Sequence, residues 1–373
     1  CSGVRRYQVF TGTEIKNMHI KKTGPASLLA AAVGLAVAGQ ANAYTSAGSA
    51  IEVKDLRIIV TDASGAIVSD PDVIQSFLFT TNHGATLNGT SQSALGVSCN
   101  RTGAGTNNCT GDGVSVDGTP VLDGALSTVG ATTHADNTFT LDGPNAGTQY
   151  AYADSVVFDA QVVAVQAGFP LVPSAAGLIA ETELTETASG SGFSDLISET
   201  GFDFTFTITD PGPYAITLTF MANPAAYSES DNPGSVSVGA SSEVSVQAKL
   251  SQDSGGTGAA QWNPDGDDTN GCLFAVGGVV CVGETDSENL NANTTIGSDP
   301  ASDRFSVAGA EDGDPGFQSF AITFGNISAG DWSFSLTAGV KNSAFKQVPE
   351  PATLFMVGAG LFGLGASSRR RRK

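Results

Sequence analysis

Between Tyr44 and Gln347 the sequence holds 35 Asp and Glu but only two histidines, His83 and His134. Glycoside hydrolysis needs two carboxylates facing one glycosidic bond. So many acids supply such a pair freely and localise none. A Ser-His-Asp triad needs a histidine held between a hydroxyl and a carboxylate. Both histidines sit in polar, loop-like sequence, and neither singles out a partner. No phosphate-binding or dinucleotide-binding glycine fingerprint follows a strand-like run. The chain is expected to be non-enzymatic, with no catalytic residue; a secreted glycoside hydrolase is the enzymatic alternative.

Binding chemistry is better represented. Asn263-Pro264-Asp265-Gly266-Asp267-Asp268-Thr269-Asn270-Gly271 gathers hard oxygen donors in a turn-rich loop. Calcium is the ion such donors suit, with Asp265, Asp267 and Asp268 as its candidate ligands. The loop departs from the EF-hand order, since glycine misses the sixth position and no glutamate closes it in frame. Without a metal it is a solvated acidic loop. Glu311-Asp312-Gly313-Asp314 is a thinner second candidate. Trp262, beside the first loop, is the aromatic expected to be exposed and to stack on a sugar; alternation with Phe334 and Leu336 turns Trp332 inward. No other cofactor is expected.

Four cysteines form two close pairs, Cys99 with Cys109 and Cys272 with Cys281. In an oxidising compartment that spacing predicts two short-loop disulfides. Zinc is disfavoured, because there is no Cys-x-x-Cys and no histidine near either pair.

Seven Lys and Arg face the 35 acids of residues 44–347, a net charge of −28, and none lies between Arg101 and Lys249. Such a surface repels nucleic acid and anionic headgroups.

The elements that must position these groups are strands. Residues 202–209 and 214–220 alternate apolar and polar around Asp210-Pro211-Gly212-Pro213, and residues 320–324 and 332–338 repeat the pattern. Each set reads as a β-hairpin with one wet face. Further strands are expected near 51–60, 74–80, 155–165, 236–250 and 272–282. For Cys272 and Cys281 to pair across a hairpin, a four-residue loop over Ala275–Gly278 is needed; a tight turn at Gly277-Gly278 leaves them diagonal. Only residues 175–188 offer a weak helical pattern. The predicted fold is all-β, an antiparallel sandwich of Ig-like or jelly-roll-like type, in one domain or two sub-domains over 44–347.

The two ends differ from this body. Residues 1–17 precede the first methionine, Met18, and are expected to be upstream, non-native sequence. Residues 18–43 combine basic residues, the apolar core SLLAAAVGLAVAG and the small-x-small site Ala41-Asn42-Ala43. That is a secretory signal helix with cleavage after Ala43. Residues 348–373 hold Pro349-Glu350-Pro351, an apolar run from Ala352 to Ala366, and Arg369-Arg370-Arg371-Arg372-Lys373. The basic end stays in the cytoplasm and the acidic body outside. The apolar run is short for a permanent transmembrane helix, which suits a transient single-pass anchor in the inner membrane.

This tail closely resembles the PEP-CTERM sorting signal, in which Pro-Glu-Pro precedes a Gly- and Leu-rich helix and a terminal Arg cluster. The resemblance implies recognition by an exosortase, a membrane-embedded cysteine protease or transpeptidase of Gram-negative bacteria, after export by the general secretion machinery. Pro349, Glu350 and Pro351 are then the recognition motif, and Arg369 to Arg372 the retention cluster. It also implies a place on the cell surface or in the extracellular matrix of a biofilm, with exopolysaccharide as a partner. The expected function is a non-enzymatic surface or matrix protein; a carbohydrate-binding or calcium-dependent adhesin module is the alternative.

Overall fold

The computed structural model describes residues 44–347 apart from 69–73, 95–97, 103–107, 111, 117–118, 137, 145–147, 159–173, 186–189, 196–200, 210–211, 232–236, 254, 270, 287, 298–300 and 307–315. In chain order its strands are β1 (Tyr44–Thr61), β2 (Ile74–Thr80), β3 (His83–Leu87), β4 (Thr90–Ala94), β5 (Ser98–Thr102), β6 (Asn108–Thr110), β7 (Asp112–Val116), β8 (Thr119–Gly130), β9 (Tyr150–Phe158), β10 (Ser174–Thr185) and β11 (Gly190–Asp195). There follow β12 (Gly201–Ile208), β13 (Tyr214–Asp231), β14 (Ser237–Gln252), β15 (Ala259–Trp262), β16 (Phe274–Val276), β17 (Val280–Thr285), β18 (Asn293–Ile296), β19 (Ala301–Ser306), β20 (Gln318–Ile327) and β21 (Gly330–Gln347). Among the described residues there is no helix, so none long and apolar enough to cross a membrane. The expected signal and C-terminal helices lie outside the described residues.

The strands form two antiparallel sheets. Sheet A runs β17-β20-β13-β1-β10-β9-β8-β7, with β19 also on β13. Sheet B runs β16-β15-β14-β21-β12-β2-β5-β6, with β18 also on β14 and the β11–β3–β4 branch on β21. They pack face to face because each carries one apolar face. Ile216, Leu218 and Phe220 of β13 share a buried core with Val246, Ala248 and Leu250 of β14. Phe324, Phe334, Trp332 and Trp262 complete that cluster. A second interior region is built from small residues, among them Ala47, Ala85, Ala151, Ala240 and Ala344. Buried hydroxyls lie in the interior as well, where Ser228 Oγ sits 2.8 Å from Thr294 Oγ1 and Thr45 Oγ1 3.3 Å from Ser230 Oγ.

Within the described residues the expected strands form, with 159–165 and 236 outside them and 272–282 divided between β16 and β17, but their partners differ from expectation. β12 belongs to sheet B and β13 to sheet A, so residues 202–220 are an arch between sheets and not a hairpin. The same holds for β20 and β21. Alternation records that one face is buried; it does not record which sheet supplies the covering. Of residues 175–188, expected as the weak helix, 175–185 lie in β10, the central neighbour of β1 and β9, and 186–188 lie outside the described residues. Pairing on both edges overrides a modest helical pattern.

Candidate functional site

The outer face of sheet B is open. Two cross-strand rows traverse it. Phe274, Gln261, Lys249, Ser335 and Asp203 are successive partners on β16, β15, β14, β21 and β12. Val276, Ala259, Ser251, Ser333 and Thr205 form the adjacent row in the same strand order. Side chains in register share a face, and all of these except Val276 line a groove of about 500 Å³. Five strands at ~4.8 Å spacing make it about 19 Å long. Phe274 is 43% exposed at one end. Lys249 is exposed and forms no ion pair among the described residues. Ser333 Oγ donates to Asp253 Oδ2 at 2.6 Å, which fixes the floor of the second row.

The β16–β17 corner holds Phe274 in place. Cys272 and Cys281 form a disulfide with their Cα atoms 5.8 Å apart. The turn is the tight one: Val279 N donates to Val276 O, with Gly277 and Gly278 both at positive φ. The expected four-residue loop is absent because the two strands do not pair with each other. β16 is the edge of sheet B and β17 the edge of sheet A. The disulfide therefore joins two sheets, not two strands of a hairpin. Cys99 and Cys109 are direct register partners on β5 and β6; their side chains lie outside the described residues.

Trp262 is not the exposed sugar contact expected of it. It is fully buried, packs edge-on to Phe220 at 6.2 Å between centroids, and donates Nε1–H to Glu284 Oε1 at 2.6 Å. As the last residue of β15 it is the register partner of Ala248, and that parity turns it inward. Trp332 is also buried, as its alternation predicts.

The acidic loop beside Trp262 uses its carboxylates on its own backbone. Asp265 Oδ1 accepts from Asp267 N at 3.1 Å, and Asp267 Oδ1 accepts from Thr269 N and Oγ1. Asp268 Oδ1 accepts from Asp286 N at 2.5 Å, while Asp286 Oδ2 accepts from Asp265 N at 2.8 Å. Glu284 accepts from Gly271 N as well as from Trp262. Among the described residues no three Asp, Glu, His or Cys side chains make a group able to hold a metal ion. Asp265, Asp267 and Asp268 thus frame a folded turn, with Glu284 and Asp286 as partners that sequence reasoning missed. Burial, joined by the charges of Glu284 and Asp265, pushes Asp286 up to about 6. Burial also raises Glu284.

The outer face of sheet A is closed around Glu181. Glu181 on β10 is the register partner of Gly48 on β1 and of Tyr152 on β9, and Gly48 is in turn the partner of Tyr227 on β13. The Tyr152 and Tyr227 hydroxyls both donate to Glu181. Tyr227 can cross β1 only because residue 48 is glycine: a Cβ there would lie 2.5 Å from the Tyr227 ring. The connection between β8 and β9 covers the site. Asp142 N and Gly143 N donate to the Glu181 carboxylate, Leu141 lies over Gly48, and Phe139 lies over Gly177. Burial pushes Glu181 up to about 7 against the pull of its donors. Ser46 Oγ lies 2.8 Å from Tyr227 Oη.

Both histidines are buried. His134 is buried in the β8–β9 connection, stacked on Tyr152 at 4.0 Å, with Nε2 2.7 Å from Thr138 O and Nδ1 3.2 Å from Asp142 Oδ2. His83 opens β3, buried, with Nδ1 3.3 Å from Ser155 Oγ. Neither lies in open loop as the polar sequence suggests. Ala41, Ala43, Pro349, Glu350, Pro351 and Arg369 to Lys373 lie outside the described residues.

Comparison with known proteins supports one segment. Residues 347–372 match the PEP-CTERM protein-sorting motif, so the chain carries a PEP-CTERM sorting signal. No curated protein matches the chain. Among solved structures, one titled "Structure of infectious bursal disease virus Gx strain" aligns at 10% identity over 86% of this chain and 87% of that one. Its TM-score of 0.09 carries no argument.

Proposed function

We propose that the chain is an exported, exosortase-processed structural protein of the cell surface or extracellular matrix, without enzymatic activity, that works in contact with exopolysaccharide. The observation that carries this reading is the junction between body and tail. β21 ends at Gln347, and the sorting motif spans 347–372. Handling at Pro349-Glu350-Pro351 would leave every strand of the sandwich intact. The acidic, strand-built body suits a hydrated matrix. Its raised carboxyls support a structural role: Glu181 is fully buried beneath a loop, and Glu284 and Asp286 accept from backbone amides and an indole.

Replacing Pro349, Glu350 and Pro351 together by alanine tests this. The variant should accumulate uncut in the inner membrane, with loss of surface or matrix protein on fractionation and a larger intact mass. Unchanged location and mass would overturn the proposal.

A further inference from the structure

The groove on the outer face of sheet B belongs to none of the roles above. We infer that it is a binding site for an extended neutral polysaccharide, an inference that rests on the surface or matrix role just proposed and gives it a site. Four features support it.

The first is shape. A trough about 19 Å long across five strands admits a chain lying over the sheet, not a compact cofactor. The second is the exposed ring. Phe274 presents an aromatic face at one end, and an aromatic surface packs against the C–H face of a pyranose. It is held there by the Cys272–Cys281 bridge two residues away, so little order is lost on binding. The third is the polar complement. Lys249 offers donors only, Gln261, Ser251 and Ser335 offer both senses, and Ser333, whose proton goes to Asp253, accepts. Sugar hydroxyls, each donor and acceptor, match that mixture.

The fourth is charge. Residues 44–347 carry a net −28, and that field opposes a polyanion approaching a groove with one lysine. A neutral chain meets no such barrier. The corner at the Phe274 end is free of acids: Leu273, Phe274, Val276, Val280 and Val282, all at least 40% exposed, sit in an uncharged run from Thr269 to Gly283. Pairing of a second strand along the β16 edge is the competing use of this corner, and it does not employ Lys249 or Asp203.

Affinity electrophoresis of the full chain in detergent, through native gels containing dextran, galactomannan or mixed-linkage glucan, tests the site. Alginate and polygalacturonate gels are the anionic arm. At least one neutral polymer should retard the wild type. Phe274→Ala and Lys249→Ala should each weaken that retardation by about tenfold, the scale of an interface anchor. Phe345→Ala, which alters an exposed ring elsewhere on β21, should not. Both groove variants change exposed side chains, so their unfolding midpoints should match the wild type. No retardation by any neutral polymer, retardation by the anionic polymers alone, or retardation of the Phe274→Ala and Lys249→Ala variants equal to that of the wild type would each overturn the inference. A concentration-dependent dimer abolished by Phe274→Ala would assign the corner to strand pairing instead. If the groove fails while location still depends on Pro349-Glu350-Pro351, the surface role stands without it.

Discussion

The two outer faces of the sandwich are made from the same kind of strand and end in opposite states. On sheet A, the β8–β9 connection folds back over the strands, and a glutamate with two tyrosines is sealed beneath it. On sheet B, serines, threonine, lysine and aspartate remain in an open groove. The difference rests on glycine. Gly48 and Gly177 leave room on sheet A for Tyr227, Leu141 and Phe139 to lie flat on the strands. The sheet B rows have a side chain at every position, so nothing can lie as close. A face stripped of side chains recruits a cover; a face bearing short polar ones stays available to solvent or ligand.

The contrast can be broken from beneath the open face. Trp262 anchors β15 to the core. Trp262→Ala should destabilise the full chain by about 3–5 kcal/mol, the cost of emptying a large aromatic site, as read by urea unfolding. A change under about 0.5 kcal/mol, typical of surface substitutions, would return Trp262 to the surface role its sequence position suggests.

The closed face is tested through Glu181. Its folded carboxyl lies at about 7, above its ordinary 4.5. The folded state therefore holds this proton more tightly than the unfolded state does. The resulting stabilisation is fully present below about pH 4.5 and declines as pH rises to about 7, by about 3 kcal/mol at most. Asp286, raised to about 6 from 3.8, adds a decline of the same sign at lower pH. Unfolding measured from pH 4.5 to 8 in wild type and Glu181→Gln should show the upper part of the decline only in the wild type. Parallel profiles would mean that Glu181 is not sealed.

The smallest of these effects concerns the corner between the sheets. Replacing Cys272 and Cys281 together by alanine should cost about 2–3 kcal/mol, the loop-closure value for so short a ring. It should loosen the open face and leave the Glu181-dependent part of the pH profile intact. Loss of that part as well would show that the two faces are coupled through the core.

Much of the fold was legible in the sequence. Alternation over residues 202–209, 214–220 and 332–338 located β12, β13 and β21, and the inward parity of Trp332 followed from Phe334 and Leu336. Glu181 was not legible. It is one acid among 35, and nothing in its neighbours marks it apart. Its partners Asp142, Gly143, Tyr152 and Tyr227 gather through three ladders and one connection. The one local hint is Gly48 within an otherwise side-chain-bearing strand, where glycine marks a close approach.

By itself, the sequence determined where the alternating strands β12, β13, β20 and β21 run and which of their residues point inward, the charge of the body, and the sorting signal at residues 347–372. Each is a local property, set by side-chain period, composition or a contiguous motif. The tertiary structure alone decided that β12 and β13, β16 and β17, and β20 and β21 separate into opposite sheets. It decided that Trp262 turns inward, that the acidic loop binds its own backbone, and that one outer face closes while the other stays open. Those outcomes depend on which distant strands compete for the same edge and the same covering, and a one-dimensional pattern of burial is identical for every competitor.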